Sequence, residues 1–152
     1  MSVAFRRESD DEHLEPKFEL PIPPGPNLVT ERGLALIAAR VEALEAELAG
    51  LTDETEIKRV KRDLRYWRTR QATAQVMPKP DGAAVGFGST VTFRLNGKAR
   101  TIRLVGDDEA DPAAGLLSFT APLSRALLGA EVGDELDFGG KDGAIEVLDV
   151  KA

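Results

Sequence analysis

Residues 30–51, "TERGLALIAARVEALEAELAGL", decide the fold. Leu34, Ile37, Val41, Leu44, Leu48 and Leu51 recur at alternating spacings of three and four, which lines one face of a helix with a single apolar seam. Ala35, Ala38, Ala39, Ala43 and Ala46 add helix propensity between them. Thr30 is the expected N-cap and Gly50 the expected stop. The next run, Ile57, Val60, Leu64, Trp67, Gln71 and Ala74, keeps the same alternation and ends before Pro78. Two such helices joined by the short turn in "GLTDETEIKR" (50–59) make an antiparallel hairpin. Asp53 at the N-cap and Glu56 at N3 fit a capping box, and acids in a first turn suit the helix macrodipole. Helix initiation alone therefore explains Asp53, Glu54 and Glu56. The competing reading makes them the working end of the hairpin.

The outer face of the second helix carries Lys58, Arg59, Lys61, Arg62, Arg65, Arg68 and Arg70 against Asp63. This basic stripe is either a solvated face or a surface for an acidic partner, nucleic acid or an acidic protein groove. Before the hairpin, residues 1–28 alternate charge with proline and end in "LPIPPGPN", the composition of an extended arm. After it, residues 78–88 form a Pro- and Gly-rich linker. Beyond the linker the period changes to two. "STVTFRL" (89–95) and "KARTIRLVG" (98–106) flank Asn96-Gly97, a strong hairpin signal. Then come an acidic turn, a strand "LLSFTA", a short helix opened by Pro122 and closed by Gly129, and a last hairpin, "GDELDFGGKDGAIEVLDV". The expectation is an α+β chain: arm 1–28, helical hairpin 29–77, linker 78–88, and a mostly antiparallel sheet domain with one short helix over 89–152.

Composition removes several kinds of chemistry. The chain has no cysteine, so disulfides, thiolate metal sites and cysteine nucleophiles are excluded. The single histidine, His13, lies in a charged stretch and leaves no His pair for zinc and no Ser-His-Asp triad. Asp107, Asp108, Glu109 and Asp111 lack EF-hand spacing and read as a solvated turn, not a calcium loop. No metal or cofactor is expected. The N-terminus has no apolar h-region and no stretch is long enough to span a bilayer, so a cytoplasmic protein is expected, with no membrane contact. A net charge of −6 argues against general adhesion to DNA.

The stretch from Gly88 to Val150 resembles the C-terminal domain of the bacterial Gre transcript cleavage factors, GreA and GreB. "VGDDEADP", "PLSRALLG" and "VGDEL" stand in family order and spacing, and "NLVTERGLALIAARVEAL" is similar to the family's opening. The resemblance implies a coiled-coil hairpin followed by a domain of FKBP-like fold. It further implies docking at the secondary channel of RNA polymerase; a monomer is expected, with the DNA or RNA of the elongation complex as an indirect contact. By this resemblance Ser118, Thr120, Ala121, Pro122, Leu123, Arg125 and Leu128 belong to the docking segment, with Ala121 where the family usually has serine. Core packing is the competing reading for Leu123, Leu127 and Leu128. In cleavage factors, tip acids help hold a magnesium ion in the polymerase active site, so the factor itself is not an enzyme.

The tip departs from that pattern. "GLTDETEIK" stands where cleavage factors have a string such as "GDLSENAEY". The first helix, roughly 30 Å at 1.5 Å per residue, is also short for the family. The expected function is a regulator of transcription elongation that binds polymerase without efficient cleavage. The alternatives are a genuine cleavage factor acting through Asp53, Glu54 and Glu56, and an FKBP-like prolyl isomerase or general interaction domain. Against the isomerase, Phe87, Phe93, Phe119 and Phe138 are the only aromatic residues of the C-terminal region.

Overall fold

A computed structural model of the chain describes residues 19–152. His13 and the greater part of the expected arm lie outside the described residues. Strand β1 (Leu28–Val29) leads into helices α1 (Glu31–Ala49) and α2 (Glu54–Thr73), and β2 (Gln75–Val76) follows. Then come β3 (Thr90–Leu95), β4 (Lys98–Val105), β5 (Leu116–Ser118), helix α3 (Pro122–Leu127), β6 (Glu135–Phe138) and β7 (Lys141–Lys151).

The two long helices start as their sequences dictate. The Thr30 hydroxyl accepts the Gly33 amide at 2.9 Å and an Asp53 carboxylate oxygen accepts the Glu56 amide at 3.0 Å, each satisfying an orphan donor of a first turn. Between the helices, Val41 and Leu44 pack on Val60 and Leu64, with Leu48, Leu51 and Trp67 half-buried around them. The seam departs from strict alternation at its end, where Arg70 is buried and Gln71 exposed. A charged group outside the hairpin, described below, turns the helix face that way.

The hairpin is closed at its base by a ladder the period of the sequence did not signal. β1 runs parallel to β2, pairing Leu28 with Gln75 and Val29 with Val76. Asn27 anchors the entry, donating its amide to the Arg70 carbonyl at 2.9 Å and to the Thr73 hydroxyl at 3.2 Å.

The larger sheet has strand order β5-β4-β3-β7-β6. Asn96 and Gly97, both at positive φ, make the β3–β4 turn where the sequence put it. Alternation along β3 buries Val91 and Phe93 and leaves Arg94 outside, paired with Glu146 on β7 at 2.8 Å. Ile102, Leu104, Ile145 and Val147 complete that inner face, and Leu123 and Leu127 of α3 cover it. The sheet is mostly antiparallel, as expected, with β3–β4, β3–β7 and β6–β7 antiparallel, and one parallel pair makes it mixed: β5 lies beside β4, with Leu104 opposite Leu117. The connection over residues 106–115 carries the chain back to Arg103, beside the last three residues of β4, through two 3-10 turns and a left-handed Gly115 at φ 81°.

Candidate functional site

Three surfaces carry the expected chemistry: the hairpin tip, the outer face of α2, and the β5–α3 segment. At the tip, Asp53 is held by its capping bond. Glu56 faces Arg59, which donates to its carboxylate at 2.9 and 3.2 Å. Glu54 is exposed and makes no ion pair among the described residues. The same residues contain no group of three or more acidic or histidine side chains arranged to hold a metal ion. The three tip acids are thus close in sequence but do not converge.

The outer face of α2 is less positive than its composition implies. Arg59 also binds Glu47 of α1 at 2.9 Å, Arg68 binds Glu45 of α1 at 2.8 Å, and Arg65 is paired with Glu19. Arg62 lies 3.7 Å from Asp63. Lys58 and Lys61 are exposed and have no ion pair among the described residues. Arg70 does not belong to this face at all: it is 2% exposed and points into the C-terminal sheet unit. The stripe's main partners sit on α1 and in the arm, beyond the acids of its own helix.

Arg70 explains the acidic turn at 107–109, which is a joint and not the expected solvated loop. Its Nε donates to Asp108 at 2.5 Å, and Asp107 lies 3.8 Å from its Nη2. The Tyr66 hydroxyl donates to the other Asp108 oxygen at 2.5 Å. Burial pushes the Tyr66 phenol well above its ordinary pKa, and the hydrogen bond to Asp108 works in the same direction. It therefore remains a donor throughout the neutral range. Glu109, 5% exposed, reaches the start of α1: it accepts from the Thr30 hydroxyl at 2.6 Å and from Arg32 at 2.7 Å, placing a carboxylate where the helix N-terminus favours one. Gly33 leaves it room, since a Cβ there would stand 2.9 Å from Glu109 Oε1. Gly106 admits the turn itself, because its Cβ would meet the Leu28 carbonyl oxygen at 2.3 Å. Tyr66, Arg70, Asp108 and Glu109 thus fasten the hairpin to the sheet. Sequence reasoning placed Arg70 in the basic stripe and Asp108 and Glu109 in a solvated turn and did not single out Tyr66; the signal for their shared role was three consecutive acids between a Gly and a Pro.

The joint continues into the expected docking segment. Asp107 accepts from the Ser118 hydroxyl at 2.5 Å and, at the surface, from the Thr120 hydroxyl at 3.1 Å, so both hydroxyls are engaged by the acidic turn. Leu123, expected at the docking surface, is buried with Leu127 under the sheet; its place on the inner side of a one-and-a-half-turn helix leaves it no other face. Ala121 precedes α3 without a side-chain cap bond. Pro122, Arg125 and Leu128 are exposed. Leu128, 41% exposed, is a surface residue and not the core residue the competing reading made it. Val132, 58% exposed, joins it as an unanticipated apolar surface residue, in a turn where the sequence gives no periodicity to read.

A cleft of about 740 Å³ opens beside the joint, lined among others by Arg32, Lys79, Phe87 and Arg103. Arg32 is committed to Glu109 and Arg103 donates to the Gly88 carbonyl at 3.3 Å, which leaves Lys79 as the cation free to meet a guest among the described residues.

Residues 79–152 match the family described as transcription elongation factor GreA/GreB, C-terminal. The chain is 37% identical over 87 residues to the transcription elongation factor GreA of Agrobacterium fabrum, covering 55% of each chain. It is 42% identical over 77 residues to that of Desulfovibrio desulfuricans, covering 48% of each. The matched stretch therefore spans about half the length of these relatives. Among solved structures, a GreA/GreB factor from Nitrosomonas europaea aligns with 85% of this chain and 100% of its own, at 24% identity and a TM-score of 0.41. GreA factor homolog 1 of Thermus thermophilus aligns with 84% of this chain and 100% of its own, at 18% identity and a TM-score of 0.38. The family match thus takes in the sheet unit and the linker before it, residues 79–152, just under half of the chain.

Proposed function

We propose that this chain is a regulator of transcription elongation that binds RNA polymerase at its secondary channel and does not stimulate efficient transcript cleavage. In this reading the sheet domain, 89–152, is FKBP-like and docks at the channel rim through Pro122, Arg125, Leu128 and the β5–α3 turn, and the coiled-coil hairpin, 29–77, enters the channel. The protein acts as a cytoplasmic monomer and contributes no catalytic group of its own. The observation that supports the absence of cleavage is the state of the tip acids. Asp53 accepts the Glu56 amide and Glu56 accepts Arg59, so these two carboxylates are oriented by a helix cap and an ion pair of the hairpin and not toward a common point where a hard cation could sit. The reach agrees: α1 has 19 residues, about 28 Å of helix.

Co-purification with core RNA polymerase, followed by incubation with backtracked elongation complexes, separates docking from tip chemistry. The expected result is stable binding, weakened by Arg125→Glu with Leu128→Ser, and transcripts of unchanged length. Shortened transcripts that disappear with Asp53→Ala and Glu54→Ala would instead make it a cleavage factor. Failure to bind polymerase would reject the proposal altogether.

A further inference from the structure

Residues 20–26, "LPIPPGP", belong to no helix or strand, yet their conformation is set by ring chemistry. Pro21, Pro23, Pro24 and Pro26 each fix φ at about −65°, and a proline keeps the residue before it out of the helical region. With every peptide bond trans, Leu20–Pro24 is thereby held as an extended polyproline helix. Its burial repeats every three residues: Leu20 and Pro23 are half-buried, while Pro21, Ile22 and Pro24 are exposed. That is the period of such a helix resting one edge on a surface. Gly25, at φ 86°, then turns the chain toward Asn27. Both ends of the strip are tied to α2. Glu19 forms a two-pronged ion pair with Arg65, and Asn27, 4% exposed, donates to the Arg70 carbonyl and the Thr73 hydroxyl. The hydrogen bond from Arg65, with the charges of Arg65 and Arg62, holds the Glu19 carboxyl below its usual range, so the tether stays ionised at neutral pH. A segment stiffened by its own rings and fixed at both ends has little conformational freedom left to lose on binding.

The displayed edge selects the kind of partner. Pro21 and Pro24 stand one turn apart, about 9 Å, and Ile22 beside them is 45% exposed. Proline has no N–H, so this edge cannot extend a β-sheet. It offers flat rings and carbonyl acceptors, which suit a groove of aromatic faces whose indole or phenol groups donate hydrogen bonds. The charge of the groove's rim follows from α2. Around the Glu19 tether, Lys61, Arg62 and Arg65 outnumber Glu19 and Asp63. Lys61, one helical turn from Arg65, is exposed and has no ion pair among the described residues. We propose that residues 20–26 are a docking strip for another protein, one presenting an aromatic-lined groove for polyproline helices with carboxylates on the rim that faces α2. The strip is anchored toward the base of the hairpin, so the inference stands whether or not the tip's partner is polymerase.

A purified SH3 domain with an acidic rim serves as the probe, titrated into the isotope-labelled full-length chain. The expected result is a saturable shift centred on the Ile22 and Gly25 amides, since the prolines of the strip carry none. Pro21→Ala with Pro24→Ala should weaken binding about tenfold or more, and Lys61→Glu about two- to fivefold at low salt. Both rings are exposed, so urea unfolding followed by Trp67 fluorescence should be the same for the double variant as for the parent. If it is not, Ile22→Ser carries the test, because it leaves every ring and both anchors in place. No saturable shift up to about 1 mM probe would overturn the proposal. So would shifts centred on another surface, equal binding by the parent and the strip variants, or undiminished binding by a probe whose groove tryptophan is replaced by alanine.

Discussion

Asp108→Ala tests whether the acidic turn fastens the hairpin to the sheet. The substitution removes the acceptor of both Arg70 Nε and the Tyr66 hydroxyl. Arg70 is 2% exposed, so its guanidinium cannot recover water without opening the joint. Breaking one side of a buried pair costs about 3–5 kcal/mol. The low end applies, because Asp107 remains 3.8 Å away and the half-buried Tyr66 can be rehydrated. Arg70→Met should cost at least as much, since it leaves Asp107 and Asp108 facing each other with no cation between them. In the double variant neither charge is orphaned, so the two losses should fall short of additivity by about 2 kcal/mol. Urea denaturation provides the measurement. Trp67 is the only tryptophan and lies on the hairpin beside Tyr66, so its fluorescence follows the helices. Resolved amide signals from β3 and β7 follow the sheet. The parent should show one coincident transition, and Asp108→Ala should move the Trp67 transition to lower urea than that of the sheet. A loss below about 1 kcal/mol, or an additive double variant, would refute the argument that Arg70 and Asp108 couple the two parts.

Tyr66 is the only tyrosine, so its ionisation can be followed directly by absorbance. Its folded pKa is raised above the ordinary value, so its contribution to stability is fully present below about pH 10 and is lost as pH rises through the folded value. At pH 10 the folded chain should show almost no tyrosinate, whereas a urea-unfolded sample shows about half; equal ionisation of the two would contradict the buried donor. Gly106→Ala should destabilise the chain by more than about 3 kcal/mol, because the new Cβ would stand 2.3 Å from a backbone oxygen that the β1–β2 ladder holds in place. Thermal unfolding reads it, and a loss under about 1 kcal/mol would mean that β1 is not tied to the turn.

What the sequence disclosed is what depends on neighbours in sequence. Helix seams, the caps at Thr30 and Asp53 and the Asn96-Gly97 turn are set within a few residues and stand where periodicity put them. The parallel β4–β5 pair escaped because strand direction follows from the path of residues 106–115, which no local period encodes. The meaning of the charges escaped for the same reason. Asp108 meets Arg70 across 38 positions and Glu109 meets Arg32 across 77, so an acidic turn and a basic stripe that look solvated in isolation are partly each other's partners. This changes what the stripe can do. With Arg70 committed to the joint and Arg59 and Arg68 paired with α1, a polyanion approaching α2 meets mainly Lys58, Lys61, Arg62 and an Arg65 already engaged by Glu19. Any selectivity of the hairpin for an acidic partner must therefore arise from these few side chains, on the half of α2 nearer its tip.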